Sequence, residues 1–167
     1  FKRGIRFVNV PTSLLAAVDA SLGGKTGINF NGLKNEVGVF AEALAVVVDA
    51  GLFATLPHSE LVSGYAELLK HALLHSPEAL AEALAFDLSQ PDFARLQQLL
   101  RESVLVKKRV VEEDPFERGL RKSLNLGHTA AHAFESLAME RGCPVPHGFA
   151  VGWGLIVDLV LSHLVLH

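Results

Sequence analysis

Histidines, carboxylates and lysines able to do chemistry gather at a few places in this chain. His128 and His132 lie four residues apart in Leu124-Asn125-Leu126-Gly127-His128-Thr129-Ala130-Ala131-His132, so on a helix they share a face, which Glu135 continues. Two histidines so spaced can ligate one metal ion. They can equally be hydrogen-bonded core residues. A third, His147, follows a Pro-rich loop and precedes Gly148. Glu67, His128 and His147 could supply an oxygen and two nitrogens to a divalent ion and leave a position open for substrate. Spacing alone does not choose among Glu67, Glu135, His128, His132 and His147.

Lysines add a second kind of signal. Glu67 and Lys70 are three residues apart beside Gly64 and Ala66, for which an exposed ion pair is the plain reading. Lys107 is more telling. Leu96, Leu100, Val104, Val110 and Val111 form an apolar stripe at helical spacing, and Ser103 and Lys107 fall inside it, whereas Lys108 and Arg109 point elsewhere. An ammonium on a packed face is costly unless an anion meets it. The plainer alternative is a lysine stem reaching past the core to water. Gly23-Gly24-Lys25-Thr26-Gly27 resembles the end of a triphosphate-binding loop, but Asp19 stands where that motif needs its first glycine, and Gly27-Ile28-Asn29 starts a helix poorly. What survives is a loop carrying a cation suited to an anion, or a surface turn.

The elements that must position these groups are readable in outline. Residues 5–10 alternate and stop at Pro11, as a strand does, and Thr12 or Ser13 can cap a helix over 14–22. The polar stretch from Gly23 to Asn35 reads as loop with room for a hairpin, and 45–49 as a short buried strand. After Leu56-Pro57 the chain is nearly all helical, over about 59–75, 77–87, 92–113, 128–141 and 148–166. The expected class is therefore mainly α: a mixed α/β segment over 1–56, then an all-helical unit over 57–167.

Bulk properties exclude some roles. The net charge of −3 offers nothing to a nucleic acid or an anionic membrane surface. The single cysteine, Cys143, cannot form an internal disulfide, which fits a reducing cytoplasmic setting. Phe149 to Leu166 is apolar and long, but Asp158 and His163 interrupt it, and Gly148, Gly152 and Gly154 suit close packing, so a buried core helix is expected, not a membrane span. The chain starts at Phe1, without an initiator methionine, and runs straight into the first strand, so it is expected to be cut from a larger protein.

In combination these residues resemble one family. Pro11-Thr12-Ser13-Leu14-Leu15-Ala16, Val18-Asp19-Ala20-Ser21-Leu22-Gly23-Gly24-Lys25-Thr26-Gly27-Ile28-Asn29, Lys34-Asn35 with Gly38, and Gly64-Tyr65-Ala66-Glu67-Leu68-Leu69-Lys70 are similar to the 3-dehydroquinate synthase signature. Ser103 with Lys107, Glu117 with Gly119-Leu120-Arg121, Leu124 through Thr129, Ala131-His132-Ala133 and His147-Gly148 follow in family order. Each motif is modest, but their shared order spans nearly the whole chain.

The resemblance implies a dehydroquinate-synthase-like helical domain over 57–167, with 1–56 a remnant of the NAD-binding α/β domain. It implies the metal ligands Glu67, His128 and His147, for Zn2+ or Co2+, and makes His132 a substrate-contacting residue. Lys70, Lys107, His132 and Asp19 would serve the chemistry. Lys25, Asn35, Arg121 and Asn125 would hold substrate, and Asp19, Lys25 and Lys34 would line the NAD site. The implied reaction converts 3-deoxy-D-arabino-heptulosonate 7-phosphate to 3-dehydroquinate and phosphate, in the shikimate pathway of the cytoplasm. Relatives are commonly homodimers, though no residue here argues for an interface. Departures exist: Phe149 stands where glutamate usually follows His147-Gly148, Leu33 replaces a common glycine, and no G-x-G-x-x-G turn occurs. The isolated chain is accordingly expected to turn over poorly. Competing readings are another sugar phosphate cyclase, of inosose or valiolone type, a metal-dependent polyol dehydrogenase, and a non-catalytic metal-binding module.

Overall fold

A computed structural model describes residues 4–31 and 33–166, without the side chains of 29 and 33–35. The first third is mixed. Strand β1 (Val8–Asn9) pairs in parallel with β4 (Ala45–Val46). Between them, the stretch expected as loop with room for a hairpin folds into an antiparallel hairpin of β2 (Lys25–Phe30) and β3 (Leu33–Phe40), with its pairing broken between Ile28 and Phe30. Its alternation is hidden in sequence because neither face is buried: Ile28, Phe30, Val37 and Val39 are all exposed. The expected helix over 14–22 forms, but widens to a π turn over Ala16–Ala20, where the Ser21 N–H reaches back five residues to the Ala16 carbonyl at 2.9 Å.

From His58 onward the chain is helical, with α1 (His58–His75), α2 (Pro77–Leu84), α3 (Phe93–Glu113), α4 (His128–Glu140) and α5 (His147–Leu166) close to their expected bounds. Local chemistry sets the starts. The Ser76 hydroxyl accepts from Ala79 N–H ahead of Pro77, and the Asp92 carboxylate accepts from Ala94 and Arg95 N–H. One core joins Leu61, Tyr65 and Leu68 of α1 to Leu96, Leu99 and Leu100 of α3, closed by Leu14 and Val18. A smaller one joins Ala131 of α4 to Ala150, Val151 and Leu155 of α5.

Helix α5 corrects the expectation of a buried core helix. Its first half packs tightly, whereas Leu159, Val160, Leu161, Leu164, Val165 and Leu166 are exposed. By length and composition alone it could cross a membrane, but the packed half is seated on protein backbone. A Cβ on Gly148 would stand 1.7 Å from the Ser63 carbonyl oxygen, and one on Gly154 would stand 2.0 Å from that of Gly127. Only residues without a side chain allow α5 to approach α1 and the start of α4 so closely. Asp158, which interrupts the apolar run, accepts the Gly127 N–H at 2.6 Å and so places a carboxylate at the amino terminus of α4.

Helices α1 and α3 are also pinned by a buried polar link, His71 Nδ1 to Ser103 Oγ at 2.7 Å. The other ring nitrogen, Nε2, is buried with no hydrogen-bond partner. Burial, and then the nearby Lys70 charge, lowers the His71 pKa from the usual 6.5 to about 4. Between these values the unfolded chain takes up a proton that the folded chain refuses. Stability is therefore expected to fall as pH drops from 6.5 towards 4. Thermal melts should show this slope, and His71→Asn, which offers Ser103 an amide in place of Nδ1, should flatten it. Gly148→Ala should cost about 1–3 kcal/mol or more in urea denaturation, as overpacking against backbone that cannot yield.

Candidate metal centre

The site is built on Glu67, halfway along α1 and fully buried. His128 Nε2 lies 3.5 Å and His147 Nε2 3.6 Å from its Oε1. His128 is the first residue of α4 and His147 the first of α5. The Gly154–Gly127 approach anchors the residue preceding His128, and the Gly148–Ser63 approach anchors the residue following His147 one turn before Glu67 on α1. Glu67, His128 and His147 can each offer one ligand atom within 4.8 Å of the others. For ligands about 2.1 Å from a tetrahedral ion, neighbouring donors stand about 3.4 Å apart. The two separations from Glu67 Oε1 fit that edge length.

Hydrogen bonding and charge point the same way. Glu67 Oε2 forms an ion pair with the buried Lys70 ammonium, but neither Glu67 oxygen has a well-aligned hydrogen-bond donor. Burial opposes ionisation of Glu67. His147, Lys70 and His128 outweigh it and hold the carboxyl well below the usual range. The His147 pKa is raised, chiefly by the Glu67 carboxylate facing it, and that of His128 is lowered by burial and then by Lys70. Both rings are turned by their other nitrogen: His128 Nδ1 meets the Leu126 carbonyl at 3.3 Å and His147 Nδ1 meets Glu135 Oε1 at 3.0 Å. Both Nε2 atoms are thus directed at Glu67, the arrangement of imidazoles ready for an ion. The exposed ion pair read from the Glu67–Lys70 spacing is corrected here, because both groups are buried.

Beside this cluster runs a cleft of about 360 Å³ lined by Asp19, Lys25, Lys70, Lys107, Glu117, Arg121, Asn125 and His128. Lys107 is buried, which decides between the two readings of its place in the apolar stripe: its ammonium meets an anion and does not reach past the core to water. The anion that meets it is Asp19, 2.5 Å away, whose backbone carbonyl also accepts from the ammonium. Burial lowers the Lys107 pKa against the pull of Asp19. Burial also works against ionisation of Asp19, but Lys107 lowers its pKa overall, although 41% of the Asp19 side chain stays exposed. Arg121 is buried, donating to the Pro115 carbonyl at 2.8 Å and the Gly23 carbonyl at 3.3 Å. Lys25 and Asn125 are joined through Glu117, whose carboxylate takes the Lys25 ammonium and the Asn125 amide.

Of the other residues singled out in sequence, His132 is exposed at the rim, its ring centred 5.7 Å from that of His128 and 6.4 Å from that of His147. The side chains of Lys34 and Asn35 lie outside the described residues. Three further participants have places that the sequence does not give. Glu117 looks like one more surface acid, but holds a left-handed backbone, φ 56°, between the two residues it bridges. Glu135, one of the five ligand candidates, stands behind His147, not among the converging donors. His71 is hidden next to Lys70.

Comparison with known proteins places this geometry in a family. Residues 1–63 match the family described as 3-dehydroquinate synthase N-terminal, and residues 64–167 match 3-dehydroquinate synthase C-terminal. A 3-dehydroquinate synthase of Parabacteroides distasonis is 53% identical over 98% of this chain and 46% of its own length. One of Streptococcus pyogenes is 39% identical over 97% and 44%. Among solved structures, a valiolone synthase from Streptomyces hygroscopicus with NAD+ and Zn2+ bound superposes with a TM-score of 0.80 at 30% identity, covering 97% of this chain and 45% of that one. A 2-deoxy-scyllo-inosose synthase gives 0.84 at 27% identity, covering 98% and 45%. The chain spans about half the length of these two curated relatives. On these matches it belongs to the 3-dehydroquinate synthase family.

Proposed function

We propose that this chain is the metal- and substrate-holding part of a 3-dehydroquinate synthase, a cytoplasmic lyase of the shikimate pathway and of aromatic amino acid and chorismate biosynthesis. The reaction is conversion of 3-deoxy-D-arabino-heptulosonate 7-phosphate to 3-dehydroquinate and phosphate, with NAD and Zn2+ or Co2+. The observation that carries this reading is one carboxylate and two imidazoles converging beside a cleft whose Lys25, Lys107, Arg121 and Asn125 can hold a sugar acid with two anionic groups. Glu67, His128 and His147 would hold the ion. When bound, it would lower the cost of an alkoxide at the reacting carbon and polarise the adjacent ketone.

The protein groups divide by chemistry. Arg121, with its planar fork, and Lys107 suit a carboxylate. Lys25 and Asn125 suit a phosphate, and Asn125 sits three residues ahead of the first residue of α4, where the helix dipole favours an anion. Glu117, an anion in contact with both, keeps these donors turned toward each other. Lys70 neutralises Glu67 from the protein side, and Asp19 does the same for Lys107. Residues 1–56 would contribute to the NAD side through Asp19, Lys25 and Lys34, with Asn35 reaching substrate and His132 contacting it from the rim. The partner is then a small sugar phosphate, not a nucleic acid or a membrane.

A second reading has its own support, since the structural relatives above are valiolone and inosose synthases. One relative holds carbaglucose-6-phosphate with NAD+ and Co2+. Arg121 and Lys107 favour the carboxylate-bearing substrate, because an uncharged ring needs no such clamp. The zinc-loaded chain, titrated calorimetrically, should bind 3-deoxy-D-arabino-heptulosonate 7-phosphate and prefer it to carbaglucose-6-phosphate. Arg121→Ala should weaken that binding by about tenfold or more, the scale of a charged hydrogen-bonded pair, with zinc content unchanged. Equal binding of both compounds would favour the second reading. A chain that holds zinc and ignores both would be a metal-binding module.

A further inference from the structure

The ligand reading leaves Glu135 without a role, yet its geometry is specific. Glu135 lies on α4 seven residues after His128, hence on the same helical face two turns on. From there its Oε1 reaches His147 Nδ1, at the start of α5, at 3.0 Å. Both side chains are mostly covered, at 19% and 25% exposure. An ionised carboxylate only accepts hydrogen bonds, so this contact requires the proton on Nδ1. A neutral imidazole then carries its lone pair on Nε2, the nitrogen directed at Glu67. Phe149, two residues beyond His147, has no acceptor to offer in its place.

We infer that Glu135 is a positioning residue for the metal centre: it selects the Nδ1–H form of His147, turns Nε2 toward Glu67 and His128, and so sets the affinity of the site for its ion. It is the replaceable half of a pair of such contacts. His128 is turned in the same sense by a backbone carbonyl, that of Leu126, which no side-chain substitution removes. The contact also ties α4 to α5 between their two ligands, so the ion meets imidazoles whose rotations are already restricted. A carboxylate behind a ligating imidazole raises its basicity as well as fixing its plane. This inference rests on the ligand reading proposed above, and its test separates the two.

The test is zinc affinity of the full chain, measured by competition with a chromophoric chelator, for wild type, Glu135→Gln and Glu135→Ala. Glu135→Ala should bind zinc about 10- to 100-fold more weakly. Glu135→Gln keeps an acceptor oxygen for Nδ1–H without the charge, and should fall between the two. A merely structural role would lower the melting temperature of the zinc-free chain and leave the affinity ratio near one, and that result overturns the inference while sparing the ligand reading. A wild-type chain that binds no zinc overturns both. If Glu135→Ala does not fold, the zinc-free wild type with its imidazoles neutral decides: long-range 15N–1H correlation should place the His147 ring proton on Nδ1, and a proton on Nε2 overturns the inference.

Discussion

A carboxylate with no surface open to solvent, Glu67, is the constraint on which the site depends. Leaving a charge unpaired in the interior costs far more than any single contact returns, so Glu67 compels its surroundings. Lys70, one turn further along the same helix, supplies the nearest compensation. His128 and His147 bring their Nε2 atoms to the other Glu67 oxygen from two other helices, where an ion held by all three would complete the compensation. The fold meets this demand through backbone contact. Gly148 against Ser63 and Gly154 against Gly127 bring three helices closer than side chains would permit, and both contacts adjoin a histidine of the cluster.

The same logic orders the cleft beside it. Every buried cation there has an assigned counterpart: Lys70 with Glu67, Lys107 with Asp19, and Arg121 with two backbone carbonyls. Lys25 and Asn125, which are exposed, share Glu117. The positive groups are therefore prearranged and individually restrained before any anionic ligand arrives, which reduces the ordering that binding must otherwise impose.

Much of this was legible in the residues. The helices and their bounds followed from period and punctuation, since Ser76-Pro77 and Asp92 cap in the expected way. Lys107 was legible because an ammonium within an apolar stripe has few physical solutions. Glu67 and Lys70 were not, because three-residue spacing is the same for a solvated pair and a buried one, and burial is decided by helices far away in sequence. The hairpin was obscured by having two exposed faces, and α5 by uniform apolarity that says nothing about which half is covered. The choice among five possible ligands needed the family resemblance, since helical spacing favours His128 with His132, whereas the tertiary contact between α1, α4 and α5 brings in Glu67 and His147 and leaves His132 at the rim.

The convergence of those three groups is tested most directly by anomalous diffraction from crystals of the chain soaked in Zn2+. One dominant zinc peak is expected, about 2.0–2.2 Å from a Glu67 oxygen and the Nε2 atoms of His128 and His147. Zinc held by His128 and His132 with Glu67 remaining on Lys70 alone, or spread over surface histidines, would contradict it.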